Sequence, residues 1–369
     1  MNVYLDYNAT APLLPAVREV MAEHLALPLN PSSVHRWGRK AGALVEASRR
    51  IVAEAVCTFP AEVFFCGSGT EANNWALRGV PQRRVLASAV EHASVLRHAD
   101  ALFPVNADGI ADLAALEKML AAEPVPVLVS LMLANNETGV IQPVAEVSAL
   151  CRSHAALLHC DASQALGKIP IDCGMLGADM LTLSAHKFGG PAGAAALVVR
   201  GGVSLAPLLT GGGQENRQRA GTENVAAVAG FACAVQHLDF AGMGRMCRWL
   251  DEMTARIAEK SGGTSHWGGT WAHCVPCLPN TRMLLMPGVD SEMQLMQFDL
   301  AGIAVGAGSA CASGRIEPSH VLSAMGMPPE AAKTAIRVSG GWGTTKAEIQ
   351  AFTHTWLRIF HSLSLSCAA

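Results

Sequence analysis

Three side chains in this sequence, a lysine, an aspartate and a cysteine, have neighbours that favour a catalytic or ligand-binding role. Lys187, in SAHKFGGPAG, closely follows an apolar run; partial desolvation would lower its pKa and let it form a Schiff base, although snorkelling to solvent is the alternative. Asp161 ends the run ALLHCD, where open α/β sheets hold ligands and where helix N-caps also occur. Cys311 lies in VGAGSACASGR, whose small residues cannot bury it, so an inert core thiol is disfavoured.

A glycine-rich turn adds a possible anion site. FFCGSGTEANN follows one apolar run and opens a helical one, and the free amides at the helix start, with Thr70 as the expected N-cap, suit a phosphate. The turn also matches G-x-G-x-x-A at Gly67, Gly69 and Ala72, and Glu91 ends the next strand where a dinucleotide fold places its ribose-binding acid. A nicotinamide-dependent oxidoreductase is therefore one hypothesis.

The lysine, the aspartate and the glycine turn together suit pyridoxal phosphate (PLP). This cofactor needs a lysine for its aldehyde, a carboxylate that keeps its ring nitrogen protonated and an anion pocket for its phosphate, whereas hydride transfer needs none of these. Ser184 and His186 would supply further donors to the anion. His92, in AVEHASV, could lie over the ring and handle protons, although a satisfied histidine at a strand end is the alternative.

The elements that must position these residues are indicated by hydrophobic pattern. Short runs that are apolar almost throughout alternate with helical patterns, which favours a mostly parallel α/β sheet covered by helices on both sides. Two strands within 179–200 are joined by a short Gly/Pro link, too short for a parallel crossover, so this pair should be antiparallel. We predict strands at 62–66, 84–90, 125–133, 156–161 and 179–185, and helices at 70–79, 112–123 and 143–154.

The chain of 369 residues exceeds the ~250–300 at which a single core stops growing. After about residue 224 the pattern changes to long helices and then to shorter mixed elements, and Thr345 with Glu348 fits a capping box that opens the last helix. We predict a large cofactor-binding domain over 12–241. Residues 1–11 and 242–369 should form a smaller α+β domain that carries the cysteine.

The composition bears on partners and location. A net charge of −3 gives no reason to expect nucleic acid or an anionic membrane surface as partner. The start lacks the basic and apolar regions of a signal peptide, and no apolar run approaches the ~18 residues of a membrane span. Eleven scattered cysteines then indicate reduced thiols and a cytoplasmic protein. The single CxxC at 274–277 lacks a second pair, so we expect no metal site.

Over nearly its whole length the chain resembles the cysteine desulfurases of the NifS and IscS type, in the class V branch of fold-type I PLP enzymes. The segments that carry the resemblance are YLDYNAT, NPSSVH, GSGTEANN, EHASV, ANNETGV, HCDASQALGKIPID, SAHKFGGPAG, GGGQENRQRAGTEN, GSACASG, EPSHVL and IRVS. The resemblance implies a fold-type I PLP-dependent transferase: a mostly parallel sheet with one antiparallel strand, flanked by helices, plus the smaller α+β domain.

The same resemblance implies roles for the cofactor contacts, position by position. These are Lys187 as the Schiff-base lysine, Asp161 at the pyridine nitrogen, Gln164 at the ring hydroxyl, His92 stacked on the ring, and Gly69, Thr70, Ser184 and His186 at the phosphate. Thr222, in RAGTEN, would reach the phosphate of the neighbouring subunit, which implies a homodimer.

For the substrate, the resemblance implies L-cysteine. Asn136, which also counts among the cofactor contacts, and Arg337 would hold its carboxylate, a task suited to the fork of arginine. Cys311 would attack the substrate's sulfur, leaving alanine and a persulfide for transfer to an acceptor such as an iron–sulfur scaffold.

Other hypotheses remain open. A selenocysteine lyase or another PLP β-lyase would not need Cys311. A nicotinamide oxidoreductase would not need Lys187. A non-catalytic sulfur-binding protein would leave Lys187 and Asp161 without a role.

Overall fold

The computed structural model describes residues 2–81, 83–261, 275–308 and 319–364. Cys311, a candidate catalytic residue, falls within 309–318 and so lies outside the described residues. The strands are β1 Val3–Tyr4, β2 Val63–Cys66, β3 Arg84–Ser88, β4 Ala101–Phe103, β5 Val127–Ser130, β6 Leu157–Asp161, β7 Met180–Ser184, β8 Ala195–Val199, β9 Thr281–Leu285, β10 Ile303–Ala304 and β11 Ala335–Ser339. The α-helices are α1 Pro15–Leu25, α2 Arg36–Ala55, α3 Gly69–Gly79, α4 Ala93–Leu96, α5 Leu113–Ala122, α6 Val144–Ser153, α7 Cys173–Leu176, α8 Val225–Gln236, α9 Phe240–Lys260, α10 Ser291–Leu300, α11 His320–Ala324, α12 Pro329–Ala332 and α13 Lys346–Ser364.

Seven strands form the central sheet, in the order β2-β8-β7-β6-β5-β3-β4. Strand β8 is antiparallel to both β2 and β7, and the other neighbouring pairs are parallel. The predicted sheet with one reversed strand is therefore confirmed. The strand predicted at 125–133 is shorter, because β5 ends at Ser130. Strand β4 has no predicted counterpart, since its three residues include an exposed Leu102 and lack a distinct apolar run.

One edge of this sheet collects the candidate residues. Strands β2 and β7 are both antiparallel to β8, so they run in the same direction and end on the same side. The turn 67–69 follows β2, Asp161 ends β6, and Ser184 ends β7 just before Lys187. The glycine turn, the carboxylate and the lysine therefore meet at the carboxyl edge, where open α/β sheets bind ligands.

The helix caps agree with the sequence except at α3. The helices predicted at 112–123 and 143–154 are confirmed as α5 and α6, and the predicted capping box opens α13. The expectation that Thr70 caps α3 is wrong. The helix already begins at Gly69, so Ser68 is the cap: its backbone is extended, and its Oγ accepts the N–H of Glu71 at 3.1 Å.

Helices α1 and α2 both pack against α8 beside the sheet. Helix α8 is buried from Val225 through Val235, which explains its nearly continuous apolar sequence. No single helix among the described residues is long and apolar enough to cross a membrane. Helices α8 and α9 meet those criteria of length and composition only as a pair, and the pair is bent by 71°.

A second apolar core lies outside the central sheet. It joins α9, α13, β9 and β11, and the rings of Phe298 and Phe352 stack within it at 4.9 Å between centroids. Val3 and Leu5 belong to this core, and β1 pairs with β10. Further along, the N–H of Ala11 donates to the carbonyl of His186 at 2.7 Å, so the first residues of the chain connect this core to the candidate site.

A buried ion pair anchors the loop that precedes α8. Arg49 donates through both terminal nitrogens to the Glu215 carboxylate, at 2.6 and 2.9 Å, and Glu215 also accepts the N–H of Phe65 on β2 at 3.0 Å. Glu215, Asn216 and Arg217 all have positive φ, from 46° to 66°, which is unfavourable for residues with a Cβ. The ion pair therefore holds a strained loop against the strand that leads into the glycine turn.

Replacing Glu215 with alanine should lower the free energy of unfolding by about 3–5 kcal/mol, because it removes the buried partner of the Arg49 guanidinium and leaves only the exposed Glu46 as its ionic partner. Urea unfolding followed by circular dichroism measures this loss. Glu46 also pairs with Arg49 but is more than half exposed, so Glu46→Ala is the matched control and should cost less than about 1 kcal/mol. Equal effects of the two substitutions would contradict this account of the loop.

Candidate active site

Lys187 projects from the short 3-10 turn Ala185–Lys187 that follows β7. Its Nζ donates to the backbone carbonyls of Asn8 and Ala9, at 2.8 and 2.9 Å, and the side chain is half-buried. The amine is thus oriented at the carboxyl edge of the sheet by neutral acceptors of the N-terminal segment.

Asp161 is 7% exposed, and both of its oxygens accept hydrogen bonds. The N–H of Ser163 donates to Oδ1 at 2.9 Å, and Asn73 Nδ2 donates to Oδ2 at 2.7 Å. The residues that follow form turns, so Asp161 does not cap an α-helix. Asn73 lies on α3 and also donates to Ser94, which ties the carboxylate to the next part of the site.

His92 caps the short helix α4. Its Nδ1 accepts the N–H of Ser94 at 3.1 Å, so the neutral ring carries its proton on Nε2. Burial lowers the pKa of His92, and the positive charge of Lys187 adds to this, although Asp161 opposes it. The ring is therefore neutral at physiological pH, with its proton on Nε2.

The glycine turn lies close to the ends of β6 and β7. A Cβ on Gly69 would come within 2.9 Å of Ser163 Oγ and 3.6 Å of Ser184 Cβ, so glycine leaves a cradle that any side chain would fill. Thr70 is exposed on the first turn of α3. The structure thus brings the amides of a helix start together with two hydroxyl groups, which is suitable for an anion.

His186 follows Ser184 by two residues in the chain and is half-buried. Burial, followed by the charges of Lys187 and Lys168, lowers its pKa to about 4. The ring is therefore neutral at physiological pH, and its Nδ1 shares a hydrogen bond with Thr10 Oγ1 at 3.1 Å.

Gln164 is buried and bonded at both ends of its amide. Its Nε2 donates to the carbonyl of Asn8 at 2.9 Å, and its Oε1 accepts from Lys168 Nζ at 2.5 Å. Asn8 and Lys168 are not among the residues given a role on sequence. Both stand in segments that carry the family resemblance, YLDYNAT and HCDASQALGKIPID, and this membership is the only signal that could have identified them.

Arg337, on β11, contacts Asn136 and also the carboxylate of Asp6, which was not predicted. Its Nη1 donates to the backbone carbonyl of Asn136 at 3.0 Å, and its Nη2 donates to Asp6 Oδ1 at 2.5 Å. Its Nε is buried and has no partner among the described residues. A Cβ on Gly306 would approach Nη2 to 2.7 Å, so glycine is required beside the guanidinium.

One candidate residue, Thr222, is not brought to this cluster: it is exposed in the loop before α8. Cys311 lies outside the described residues, which resume at Ser319. There the Ser319 hydroxyl donates to Glu137 Oε2 at 2.5 Å, so the described chain after that segment is bonded to the residue next to Asn136.

The donor set fits PLP. Lys187 offers an amine, Asp161 a carboxylate held by two N–H donors, and Gly69 the cradle at a helix N-terminus. No group of three or more His, Cys, Asp or Glu side chains within the described ranges is arranged to hold a metal ion.

Comparison with known proteins agrees with this geometry. Residues 3–352 match the family model described as "Aminotransferase class-V". A cysteine desulfurase IscS of Dictyoglomus turgidum is 38% identical, covering 98% of this chain and 95% of that protein. A cysteine desulfurase of Cereibacter sphaeroides is 40% identical over 94% of this chain and 93% of that protein.

Solved structures show the same fold. The NifS-like protein from Rickettsia africae superposes with a TM-score of 0.89 at 34% identity, and the match covers 98% of this chain and all of that one. The predicted fold-type I architecture is therefore confirmed, and the family to which the chain belongs is PLP-dependent. The chain is a member of the class-V aminotransferase family and, within it, of the cysteine desulfurases of the NifS and IscS type.

Proposed function

We propose that the protein is a PLP-dependent cysteine desulfurase that converts L-cysteine to L-alanine and carries the released sulfur as a persulfide on Cys311. The observation that carries the proposal is the meeting of Lys187, Asp161 and the Gly69 cradle at one sheet edge. Relatives at 38–40% identity that are named cysteine desulfurases support it.

The cofactor contacts follow from the chemistry of each group. Lys187 Nζ would hold the aldehyde, Asp161 would keep the ring nitrogen protonated, and Gln164 Nε2 would donate to the ring hydroxyl. The phosphate would be held by Gly69, Thr70, Ser184 and His186. When bound, PLP supplies the electron sink that makes removal of the substrate's Cα proton feasible.

The substrate contacts complete the mechanism. Arg337, together with Asn136, would bind the carboxylate of L-cysteine; its Nε, which has no partner among the described residues, is one donor for this. His92 would lie over the cofactor ring and transfer a proton through Nε2. The Cys311 thiolate attacks the substrate sulfur: a Cβ–S bond breaks and an S–S bond forms. Cysteine and a protein thiol give alanine and a protein persulfide, so no external oxidant is needed.

The assembly and location remain parts of the proposal. Exposure of Thr222 is compatible with its reaching a neighbouring subunit in a homodimer. The second core, which includes Val3 and Leu5, supports the division into 12–241 and 1–11 with 242–369. The eight described cysteines are free thiols, which supports a cytoplasmic location. The sulfur acceptor is a further protein, such as an iron–sulfur scaffold.

Glu91 argues against the nicotinamide alternative. Its side chain is fully buried, and its Oε1 accepts the N–H of Met132 at 2.5 Å, so it cannot reach a ribose. Burial, followed by the nearby charge of Asp161, raises the pKa of Glu91 to about 8. At neutral pH the carboxyl is therefore protonated, whereas binding a ribose hydroxyl calls for an exposed acceptor.

Lys187→Ala should abolish the visible absorbance of protein-bound PLP and lower alanine production by about 10³-fold or more, because the covalent attachment is lost. Lys118, exposed on α5, provides the control Lys118→Ala, which should leave both unchanged. Spectra and alanine assays on the same samples make the comparison. Full turnover by the Lys187 variant would contradict the proposed function.

Cys311→Ser should prevent the protein from gaining sulfur. Intact mass spectrometry after addition of L-cysteine without reductant should show one added sulfur in the wild type and none in the variant, with alanine assayed in the same tube. The exposed thiol of Cys57 gives the control Cys57→Ser, which should still gain sulfur. Undiminished alanine production by Cys311→Ser would instead indicate a lyase.

Glu91→Gln should change the pH dependence of stability. The folded pKa, about 8, lies above the ordinary value of 4.5, so the carboxyl stabilises the fold below pH 4.5 and loses that contribution as pH rises through 8. Glutamine does not titrate. The variant should therefore gain stability relative to the wild type between pH 5 and 8, by about 1 kcal/mol per pH unit. Thermal midpoints measure this, with the exposed Glu117→Gln as control; a pH-independent difference would contradict the assignment.

A further inference from the structure

A second lysine lies beneath the site without a function assigned to it. The Lys168 side chain is only 4% exposed, and its Nζ donates to Asn8 Oδ1 at 2.7 Å and to Gln164 Oε1 at 2.5 Å. No carboxylate among the described residues lies within ion-pairing distance of it, and burial, with Lys187 and Arg337 nearby, lowers its pKa well below the ordinary value. A buried amine without a carboxylate partner is unfavourable, so the burial of Lys168 needs an explanation. Its two hydrogen bonds provide one.

The bond from Lys168 to Gln164 completes a clamp on the Gln164 amide. The Asn8 carbonyl can only accept, so the Nε2 end of the Gln164 amide must face it, at 2.9 Å. The opposite end, Oε1, is then a buried acceptor, and Lys168 supplies its donor. With both ends of the Gln164 amide fixed, the second N–H of its Nε2 can point in only one direction.

The same amine also steadies Asn8. The side-chain Nδ2 of Asn8 donates to the carbonyl of Asn136 and to Thr281 Oγ1, at 3.1 and 2.9 Å. Its Oδ1 therefore faces donors, which are Lys168 Nζ at 2.7 Å and, less closely, Asn280 Nδ2 at 3.4 Å. The carbonyl of Asn8 is one of the two acceptors that hold the Lys187 amine. Lys168 thus contacts Gln164, the expected donor to the ring hydroxyl, and Asn8, which helps to hold the amine of Lys187.

We propose that Lys168 is a positioning residue for the cofactor: its amine fixes the amide of Gln164 and the side chain of Asn8, and through them the donor to the ring hydroxyl and the amine of Lys187. This inference rests on the proposed function, because it assumes that PLP binds at Lys187. Lys168 acts on the cofactor through Gln164 and Asn8 and need not contact the cofactor itself.

The expected consequence is electrostatic. A donor to the ring oxygen disperses its negative charge and lowers the pKa of the chromophore of bound PLP. In Lys168→Met, Gln164 Oε1 loses the donor Lys168, Asn8 Oδ1 keeps only the longer bond from Asn280 Nδ2, at 3.4 Å, and the Gln164 amide can turn away. The pH midpoint of the visible absorbance should then rise by about 0.5–1 unit, which corresponds to one lost hydrogen bond.

The test compares the holoenzymes of the wild type, Lys168→Met, Gln164→Met and the double variant by absorbance titration. Lys118→Met is the control for the same substitution at an exposed lysine. The two single variants should shift the midpoint in the same direction, and the double variant should shift it no further, because both remove the same donor. Lys168→Gln, which keeps an N–H donor, should shift the midpoint less than Lys168→Met; Lys168→Leu, which also removes the donor, replaces Lys168→Met in this comparison if that variant does not fold.

A midpoint in Lys168→Met equal to that of Lys118→Met, or single shifts that add in the double variant, would overturn the positioning role. Failure of the proposed function gives a different result: the wild type itself would then show no visible absorbance after incubation with PLP.

Discussion

Every polar group on Asn8 has a hydrogen-bond partner, and the candidate site depends on this. The backbone N–H of Asn8 donates to Ser339 Oγ on β11, and its carbonyl accepts from Lys187 and Gln164. Its side chain bonds Asn136, Thr281 and Lys168. A buried residue with these requirements has few alternative positions, since each unmade bond costs about 1–3 kcal/mol. The N-terminal segment is therefore held where the second core and the edge of the sheet meet.

Charge at the site is arranged unevenly. Lys187, Lys168 and Arg337 lie close together, and their mutual effect contributes to the lowered pKa of Lys168. Asp6 and Asp161 are the neighbouring carboxylates, and each is already bonded to a donor from the protein. A site of this kind attracts anions, which suits both a phosphate and an amino-acid carboxylate. The histidines are neutral, because burial lowers the pKa of both His92 and His186 and the positive charge of Lys187 adds to this effect.

The sequence predicted the central sheet well because its strands are buried on both faces and so have a continuous apolar pattern. Elements without such a pattern were harder to predict: β4 has three residues, one of them exposed, and the helix α3 begins one residue before the expected position. Among the site residues, those that end strands could be recognised from position. Asn8, Lys168 and Asp6 could not be recognised in this way. Apart from Gln164, which contacts Lys168, the side-chain partners that place them at the site lie more than a hundred residues away in the chain.

Local properties were determined by the sequence alone: the alternation of strands and helices, the reversed strand after a short link, the glycine turn, and the types of reactive side chain. Tertiary structure decided which of these groups meet and in what electrostatic environment. Glu91 illustrates the difference. Its position after a strand fits a ribose-binding acid, yet its complete burial beside Asp161 keeps its carboxyl protonated. Burial and proximity of charge depend on residues distant in the chain, and they set both the pKa and the accessibility on which the chemistry depends.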